Sequence, residues 1–547
     1  MGELNPGTKT GDQKSCLLAL DVGTTGARAV LFDLSGAMIG SAYQEYKSTF
    51  LAPTVIDHDP ATWLRAVDAC IPAVLAQTRT SGLDVLAIAV TSQRATIVPV
   101  DAAGNWLAPA ISWQDKRTME ECRAIERTVG ETHVYEATGL RIDPYFSLPK
   151  MLWFQRNRGD VYGSTYRFLT VHDLVIHHLT GVFATEFTQA SRTMLFDIHK
   201  RQWHESLAGT FDVDLRALPV VYPTGSIAGG LSPEAASRVG LSSGVPVVMA
   251  GGDQQCAAVG LGVIRPGLAK VTTGTGSFIV APVERPVLDR DRRVLCSVAA
   301  VPDQWILEAG VFTTGAVYRW LRDELFGSNA AQGVVQSGSS GVDLYAMLDK
   351  MAEASPPGSA GALWLPHFAG SAAPYWNPNA RGLIFNLALG HSREHLVRAA
   401  LEGIALEVNK NLSIMEELVS STVQVPAQEA GLSQVLHEVR VTGGASRSKL
   451  FNQIQADVYG RTIVPGELEE ATALGAAVLA AKAVGVFADI DQACTAMSRL
   501  NNLRSAEPDL GRHALYEDLG QLHHAVYKAL DDAGVYDLAA KLSNKFY

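Results

Sequence analysis

Residues 17–33, LLALDVGTTGARAVLFD, decide how the rest of the chain is read. Two apolar runs, 17–20 and 29–32, flank a polar bend of Asp21, Gly23, Thr24, Thr25 and Gly26, the pattern of a hairpin closed by a small-residue turn. Glycines let backbone N–H groups approach an anion, threonine hydroxyls add donors, and Arg28 adds positive charge. A carboxylate at the strand end, Asp21, has the chemistry to hold a hydrated Mg2+. The bend therefore reads as a phosphate-binding turn, against the plainer alternative of an ordinary hairpin with a glycine turn.

The chain has 547 residues, more than one hydrophobic core usually serves, which predicts two large domains. With 47% apolar and 18% charged residues its composition is that of an ordinary globular protein. A net charge of −11 argues against nucleic acid as the main partner, because neutralising phosphates needs basic surface. A small anionic ligand in a locally positive site is still compatible with it. The cysteines at 16, 70, 122, 256, 296 and 494 form no C-x-x-C pair and no Cys/His cluster, which points to a reducing compartment and away from structural zinc. Residues 1–15 are polar and lack the apolar core of a signal peptide, so they read as a disordered lead. No apolar run is long enough for a bilayer, and the expected location is cytoplasmic with no membrane partner.

Beyond the hairpin, residues 59–76 have helical spacing with Trp63, Val67 and Ile71 on one side, and 85–90 form a short buried strand. Helices are expected over 119–129, 150–156, 172–179 and 233–239, the last followed by the strand VPVVMAGG. Such alternation implies an α/β fold with largely buried strands. Near residue 269 a second strand pair begins, KVTTGTGSFIVAP, and its apolar strand, Thr/Gly turn and apolar strand echo residues 17–33. Two related domains, each offering a phosphate turn to a cleft between them, follow from that echo, with the boundary and hinge at 262–267. Residues 327–341, rich in Gly, Ser, Ala and Gln, read as a mobile loop. Helices are expected again over 392–418, 448–459 and 471–484, and the last forty residues read as one terminal amphipathic helix. HEVRVTGGASRS, residues 437–448, delivers a strand onto a Gly-Gly turn at a helix start, where free N–H groups and the helix dipole favour nucleotide atoms.

In VVMAGGDQQCAAVG, Asp253 directly follows a buried strand and two glycines, which places it at a sheet edge facing a crevice. There it can act as general base toward a substrate hydroxyl that Gln254 orients; the plain alternative is a helix N-cap. Arg94 in SQRAT stands at a strand end, suited to hydroxyl or phosphate oxygens or to an exposed salt bridge. Trp113 in SWQDKRT and Tyr145 in DPYFS have the make-up of a pocket wall, or of core aromatics. GLSSG at 240–244 matches the serine-hydrolase pattern but runs helix, turn, strand, the reverse of a nucleophile elbow. A Walker A loop and a G-x-G-x-x-G fingerprint opening a helix are both absent, and His172, His177 and His178 lack the carboxylate or Cys spacing of a metal site.

Taken together, DVGTTGARAVLFD, SQRAT, AISWQDKRT, DPYFS, GGDQQ, TTGTGSF, APYWNPNARGLIFNLALGHSREHLVRAALEG, VTGGASRS and EATALGAAVLAA resemble the successive motifs of FGGY-family carbohydrate kinases, in the family's order over residues 17–487. The resemblance implies two RNase-H-like (actin-like ATPase) domains with an interdomain cleft: 16–264 for substrate and base, 265–547 for nucleotide and the terminal helix. It implies ATP and Mg2+, with a homodimer as the assembly. By the resemblance Asp21 is the Mg2+-associated carboxylate, shared with Asp253, and Thr24, Thr25, Gly26 and Arg28 lie at the ATP phosphates. Thr275 and Gly315 serve the nucleotide from the second domain, and Gly444 and Ser448 lie near its adenosine. Arg94, Trp113, Tyr145, Asp253 and Gln254 line the substrate pocket, with Asp253 as base.

Two positions depart from the pattern. Glycerol kinases follow the matching arginine with a glutamate that accepts from substrate hydroxyls, and here Ala95 stands there, which predicts a different and larger acceptor. Asn386 replaces a usual glycine. The expected reaction is transfer of the ATP γ-phosphate to a primary hydroxyl of a small sugar or polyol. A ketose such as xylulose or ribulose, a tetritol, gluconate, glycerol itself and the furanone precursor of autoinducer-2 kinases stand as alternatives. The rival from another class is an actin- or Hsp70-like nucleotide switch, which would share both turns and lack the inserted substrate wall.

Overall fold

The computed structural model describes residues 15–78, 84–326, 344–421, 435–543 and 545. All but the last residue of the lead, and the segment 327–341, lie outside the described residues. The opening hairpin is β1 (Ser15–Val22) and β2 (Gly26–Asp33), extended by β3 (Met38–Glu45). Strands β4 (Asp84–Ser92), β5 (Ile227–Gly230) and β6 (Pro246–Gly252) complete a six-stranded sheet in the order β5-β6-β4-β1-β2-β3. A second sheet is built from β7 (Leu268–Thr273), β8 (Ser277–Val283), β9 (Leu295–Val298), β10 (Trp305–Val311), β11 (Glu438–Thr442) and β12 (Thr462–Pro465), ordered β9-β10-β8-β7-β11-β12. In each sheet antiparallel strands continue into parallel ones: β3, β2 and β1 run antiparallel and β1, β4 and β6 parallel, with β5 antiparallel at the edge, while β9, β10, β8 and β7 run antiparallel and β7, β11 and β12 parallel. The echo between the two hairpins is thus an echo of whole sheets.

Alternation sorts β1 between two cores. Leu18 and Leu20 join Trp63, Val67, Ile71 and Val74 of α1 (Pro60–Ala76), whereas Leu17 and Ala19 face the opposite way. Helix α1 starts where Asp59 accepts from the Ala61 N–H and Pro60 takes the first turn. Helix α2 (Val171–Thr180) is opened by a Thr170/Asp173 capping box and closed by Gly181 in the left-handed region. Helix α3 (Asp253–Gly260) follows β6 directly, and its N-cap is Gly252, so Asp253 is the first helical residue and not the cap.

The two halves interlock. Helix α7 (Ala471–Ala483) is from the C-terminal half, which also holds α4 (Gly315–Trp320), α5 (Arg393–Ser420) and α6 (Lys449–Tyr459). Ala473, Ala476, Ala477 and Ala480 of α7 cover Leu17, Ala19, Val30 and Phe32 on the N-terminal sheet. Ala258 of α3 meanwhile packs on Val280 and Ile306 of the C-terminal sheet. Helices α3 and α7 cross through two glycines. A Cβ at Gly475 would lie 1.8 Å from the Cys256 carbonyl oxygen, and one at Gly260 2.0 Å from that of Ala471. Gly475→Ala is therefore expected to destabilise the fold by about 1–3 kcal/mol, read as a lower urea midpoint. Gly163→Ala, where no atom lies within 4 Å, should not.

Two differences from the sequence reading concern what lies at the edges. Residues 38–58 hold three strands, β3, Thr49–Ala52 and Val55–His58, where no element is expected. The terminal stretch is two helices, α8 (Leu510–Asp532) and α9 (Val535–Ser543), because Gly534 turns the chain at φ +67°. Asn386 takes φ +63°, the conformation a glycine adopts readily and asparagine tolerates, and its Nδ2 donates to the Gly361 carbonyl at 3.0 Å. Among the described residues no helix is long and apolar enough to cross a membrane.

Candidate active site

The parallel strands of both sheets end at the candidate residues. After β1 the bend closes with the Gly23 N–H donating to the Gly26 carbonyl at 3.0 Å, and Tyr46 Oη and Gln93 Nε2 donate to the Gly23 carbonyl at 2.7 and 3.0 Å. Trp113 Nε1 donates to Thr24 Oγ1 at 3.0 Å, so the bend and the aromatic wall are one unit. Thr25 stays exposed. Arg28 is engaged elsewhere: Nη1 donates to Glu470 Oε1 at 2.9 Å, and the guanidinium lies over the Tyr43 ring. Asp21 is pushed up to about 7, first by burial and then by the like charge of Asp253, with Arg28 pulling the other way. Two carboxylates in electrostatic reach of each other suit a bound divalent cation, so the donor set fits Mg2+. Among the described residues no group of three or more His, Cys, Asp or Glu is placed to hold a metal.

On the acceptor side Arg94 is buried and not an exposed pairing residue. Its Nε lies 3.1 Å from Asp253 Oδ1, and its Nη1 donates to Glu308 Oε2 at 2.7 Å and Gln255 Oε1 at 3.1 Å. Burial opposes its charge, yet Glu308 and Asp253 keep the guanidinium firmly protonated. Asp253 keeps 30% of its side chain exposed, enough to meet a ligand. The rings of Trp113 and Tyr145 are 5.2 Å apart and both are half-buried, a wall open on one side. The Tyr145 loop is pinned by Lys150, whose Nζ donates to the carbonyls of Pro144, Tyr145 and Phe146 at 2.9, 2.6 and 2.9 Å. Ala95 is fully buried and sits at φ +67°, a strained conformation for a residue with a Cβ.

A cavity of about 610 Å³ opens in the C-terminal half and collects Thr275, Gly315, Gly444 and Ser448, together with Tyr318, Arg319 and Phe451. The Thr/Gly turn closes as the Gly274 N–H donates to the Gly276 carbonyl at 2.9 Å, and the Thr275 carbonyl accepts from the N–H groups of Thr314 and Ala316, at 3.0 Å each. Only glycine fits at 315, where a Cβ would lie 2.1 Å from the Gly274 carbonyl oxygen. Ser448 caps α6, its Oγ accepting from the Phe451 N–H at 3.0 Å.

Sequence reading missed Glu308, Lys270, Arg192 and Gln255, all buried at this site. A signal existed for two of them: a lone charge inside each of the apolar strands LAKVTT and WILEAGV. Burial alone would raise the Glu308 carboxyl, but Arg192 and Arg94 hold it down to about 2. An unfolded glutamate titrates near 4.3, so in the window between that and about 2 the unfolded chain binds more protons. The stabilisation from Glu308 is complete above that window and is lost as pH falls through it. Urea unfolding at stepped acid pH should show wild type losing stability more steeply than Glu308→Gln; equal slopes would contradict this.

Two bound halves, a nucleotide-sized cavity and a carboxylate beside an aromatic wall define a phosphoryl-transfer enzyme of the two-domain actin-like class. A family model described as "FGGY family of carbohydrate kinases, N-terminal domain" matches residues 16–260, and its C-terminal counterpart matches 269–484. The chain belongs to the FGGY family of carbohydrate kinases, and its activity is ATP-dependent phosphorylation of a hydroxyl group of a small sugar or polyol. It is 34% identical over 528 residues to a glycerol kinase of Janthinobacterium sp. (strain Marseille), covering 94% of this chain and 98% of the relative. Identity to a glycerol kinase of Trichlorobacter lovleyi is 36% over 492 residues, covering 87% of this chain and 91% of that one. In fold it is similar to the gluconate kinase from Lactobacillus acidophilus, with a TM-score of 0.84 at 22% identity over 95% of this chain and 98% of the other. The Plasmodium falciparum glycerol kinase with ADP gives 0.82 at 24% identity over 95% and 99%.

Proposed function

We propose that this kinase transfers the γ-phosphoryl group of ATP to a primary hydroxyl of a sugar or polyol larger than glycerol, with Asp253 as general base. The observation that carries the reading is Ala95, a buried methyl group at the strand end beside Arg94, where glycerol kinases present a glutamate. Without that acceptor glycerol loses hydrogen bonds, each worth roughly 1.5–3 kcal/mol when made to a charged group, and the freed volume admits a longer chain. Trp113 and Tyr145 bind the carbon backbone, Gln254 orients the hydroxyl, and Asp253 accepts its proton as the oxygen attacks. Thr24, Thr25 and Gly26 meet the phosphates from one domain and Thr275 and Gly315 from the other, while Gly444 and Ser448 border the adenosine. Arg28, held by Glu470, contributes to the field at the phosphates rather than contacting them. Kinases of this family use ATP and Mg2+; Asp21 with Asp253 would hold the ion, which when bound neutralises charge on the phosphate oxygens.

The same reading puts the domain boundary at 262–267, the protein in the cytoplasm and the assembly as a homodimer, which light scattering tests. For the acceptor, the test is ADP release over a panel of glycerol, erythritol, xylitol, D-xylulose, D-ribulose and D-gluconate. A longer acceptor should exceed glycerol in kcat/KM by at least tenfold; glycerol as the best acceptor by a wide margin would refute the argument from Ala95.

A further inference from the structure

The strands that deliver the nucleotide residues each carry a buried charge that reaches across to the acceptor side. Lys270 on β7 and Glu308 on β10 are both directly opposite Val280 of β8, so the three side chains form one row on one face of the C-terminal sheet. That row lies beneath α3. Lys270 Nζ donates to Gln254 Oε1 at 2.6 Å. Glu308 accepts from Arg94 Nη1 at 2.7 Å, and its other oxygen accepts from Gln255 Nε2 and Arg192 Nη1, at 3.3 Å each. Arg94 in turn lies against Asp253, and the Arg192 guanidinium sits 5.3 Å from the centre of the Tyr145 ring. Asp253, Gln254 and Tyr145 are thus each held, directly or through one arginine, from the domain that lines the nucleotide cavity. The strand bearing Lys270 ends at Thr273 and that bearing Glu308 at Val311, both next to turns of that cavity.

We propose that Lys270 and Glu308 are positioning residues for the acceptor, so that the acceptor site is complete only when the nucleotide-binding domain is apposed to it. The proposal rests on the acceptor reading given above. Buried charges of this kind hold one geometry because any displacement leaves an uncompensated charge or an unmet hydrogen bond. Neither residue touches the nucleotide cavity itself, so their loss should be felt by one substrate only.

The test compares Lys270→Met, Glu308→Gln and Glu308→Asp with wild type in steady-state kinetics on the best acceptor of the panel, alongside hydrogen–deuterium exchange of the segment 247–260. The expected result is an acceptor KM raised at least tenfold in Lys270→Met and Glu308→Gln, with the ATP KM within about twofold and most of the loss recovered in Glu308→Asp. Exchange should quicken in 247–260 and, for Glu308→Gln, in the Arg94, Tyr145 and Arg192 segments that the same carboxylate holds, and not elsewhere. Acceptor and ATP KM rising together, or neither moving, would overturn the proposal. Should wild type phosphorylate no member of the panel, the acceptor reading fails and exchange alone decides the positioning. Quickening confined to these segments then supports it, and general loosening or no change overturns it.

Discussion

Asp253→Asn is expected to lower acceptor phosphorylation by about 10²–10⁴-fold, the usual contribution of a general base, while ATP affinity changes by less than about threefold. The substitution is nearly isosteric. The amide side chain would keep an oxygen for the Gln254 N–H, which donates to Asp253 Oδ1 at 2.7 Å, and would remain at the first turn of α3. What it loses is the capacity to accept a proton from an attacking hydroxyl. Arg94 would not be left stranded, because Glu308 still neutralises it at 2.7 Å. Titration calorimetry with ATP and an ADP-release assay with acceptor separate the two effects. A matching loss of ATP affinity would mean that the carboxylate serves the Mg·ATP complex or the fold of the cleft and does not act chiefly on the acceptor.

Ala95→Glu should move preference toward glycerol. A carboxylate at this strand end restores the acceptor for polyol hydroxyls, and one charge-assisted hydrogen bond at roughly 1.5–3 kcal/mol corresponds to about ten- to 150-fold in glycerol KM. The backbone imposes little further cost, since position 95 already holds φ +67° with an alanine. The same side chain fills the volume that a longer acceptor needs, so kcat/KM for the best wild-type acceptor should fall at least tenfold. Kinetics on both acceptors check this; an unchanged ratio would place the specificity elsewhere in the pocket.

The sequence carried the parts of this site that depend on local chemistry. The Thr/Gly bends at 23–26 and 274–276 are legible because small residues between buried strands leave few other conformations, and Asp253 because a carboxylate after VVMAGG has to emerge at a strand end. Lys270 and Glu308 were visible only as lone charges in apolar strands, since their partners come from elements far away in the chain. The packing of α7 on the N-terminal sheet was hidden for a related reason: an alanine-rich helix fits any flat apolar face, and what selects this one is the close crossing at Gly260 and Gly475. Strand β3 gave no signal because it is a partly exposed edge without a buried face. The inward tie of Arg94 could not be told from an exposed salt bridge until Glu308 was in place beside it.

The phosphoryl group passes from ATP to an acceptor alcohol inside this cleft, a claim that phosphorus NMR of the product decides. With the preferred acceptor and Mg·ATP, the spectrum should show a phosphomonoester split by the two protons of a CH2 group, growing in step with ADP and absent for Asp253→Asn. Inorganic phosphate as the only product, at a rate indifferent to acceptor and to Asp253, would contradict the claim and describe a nucleotide switch instead.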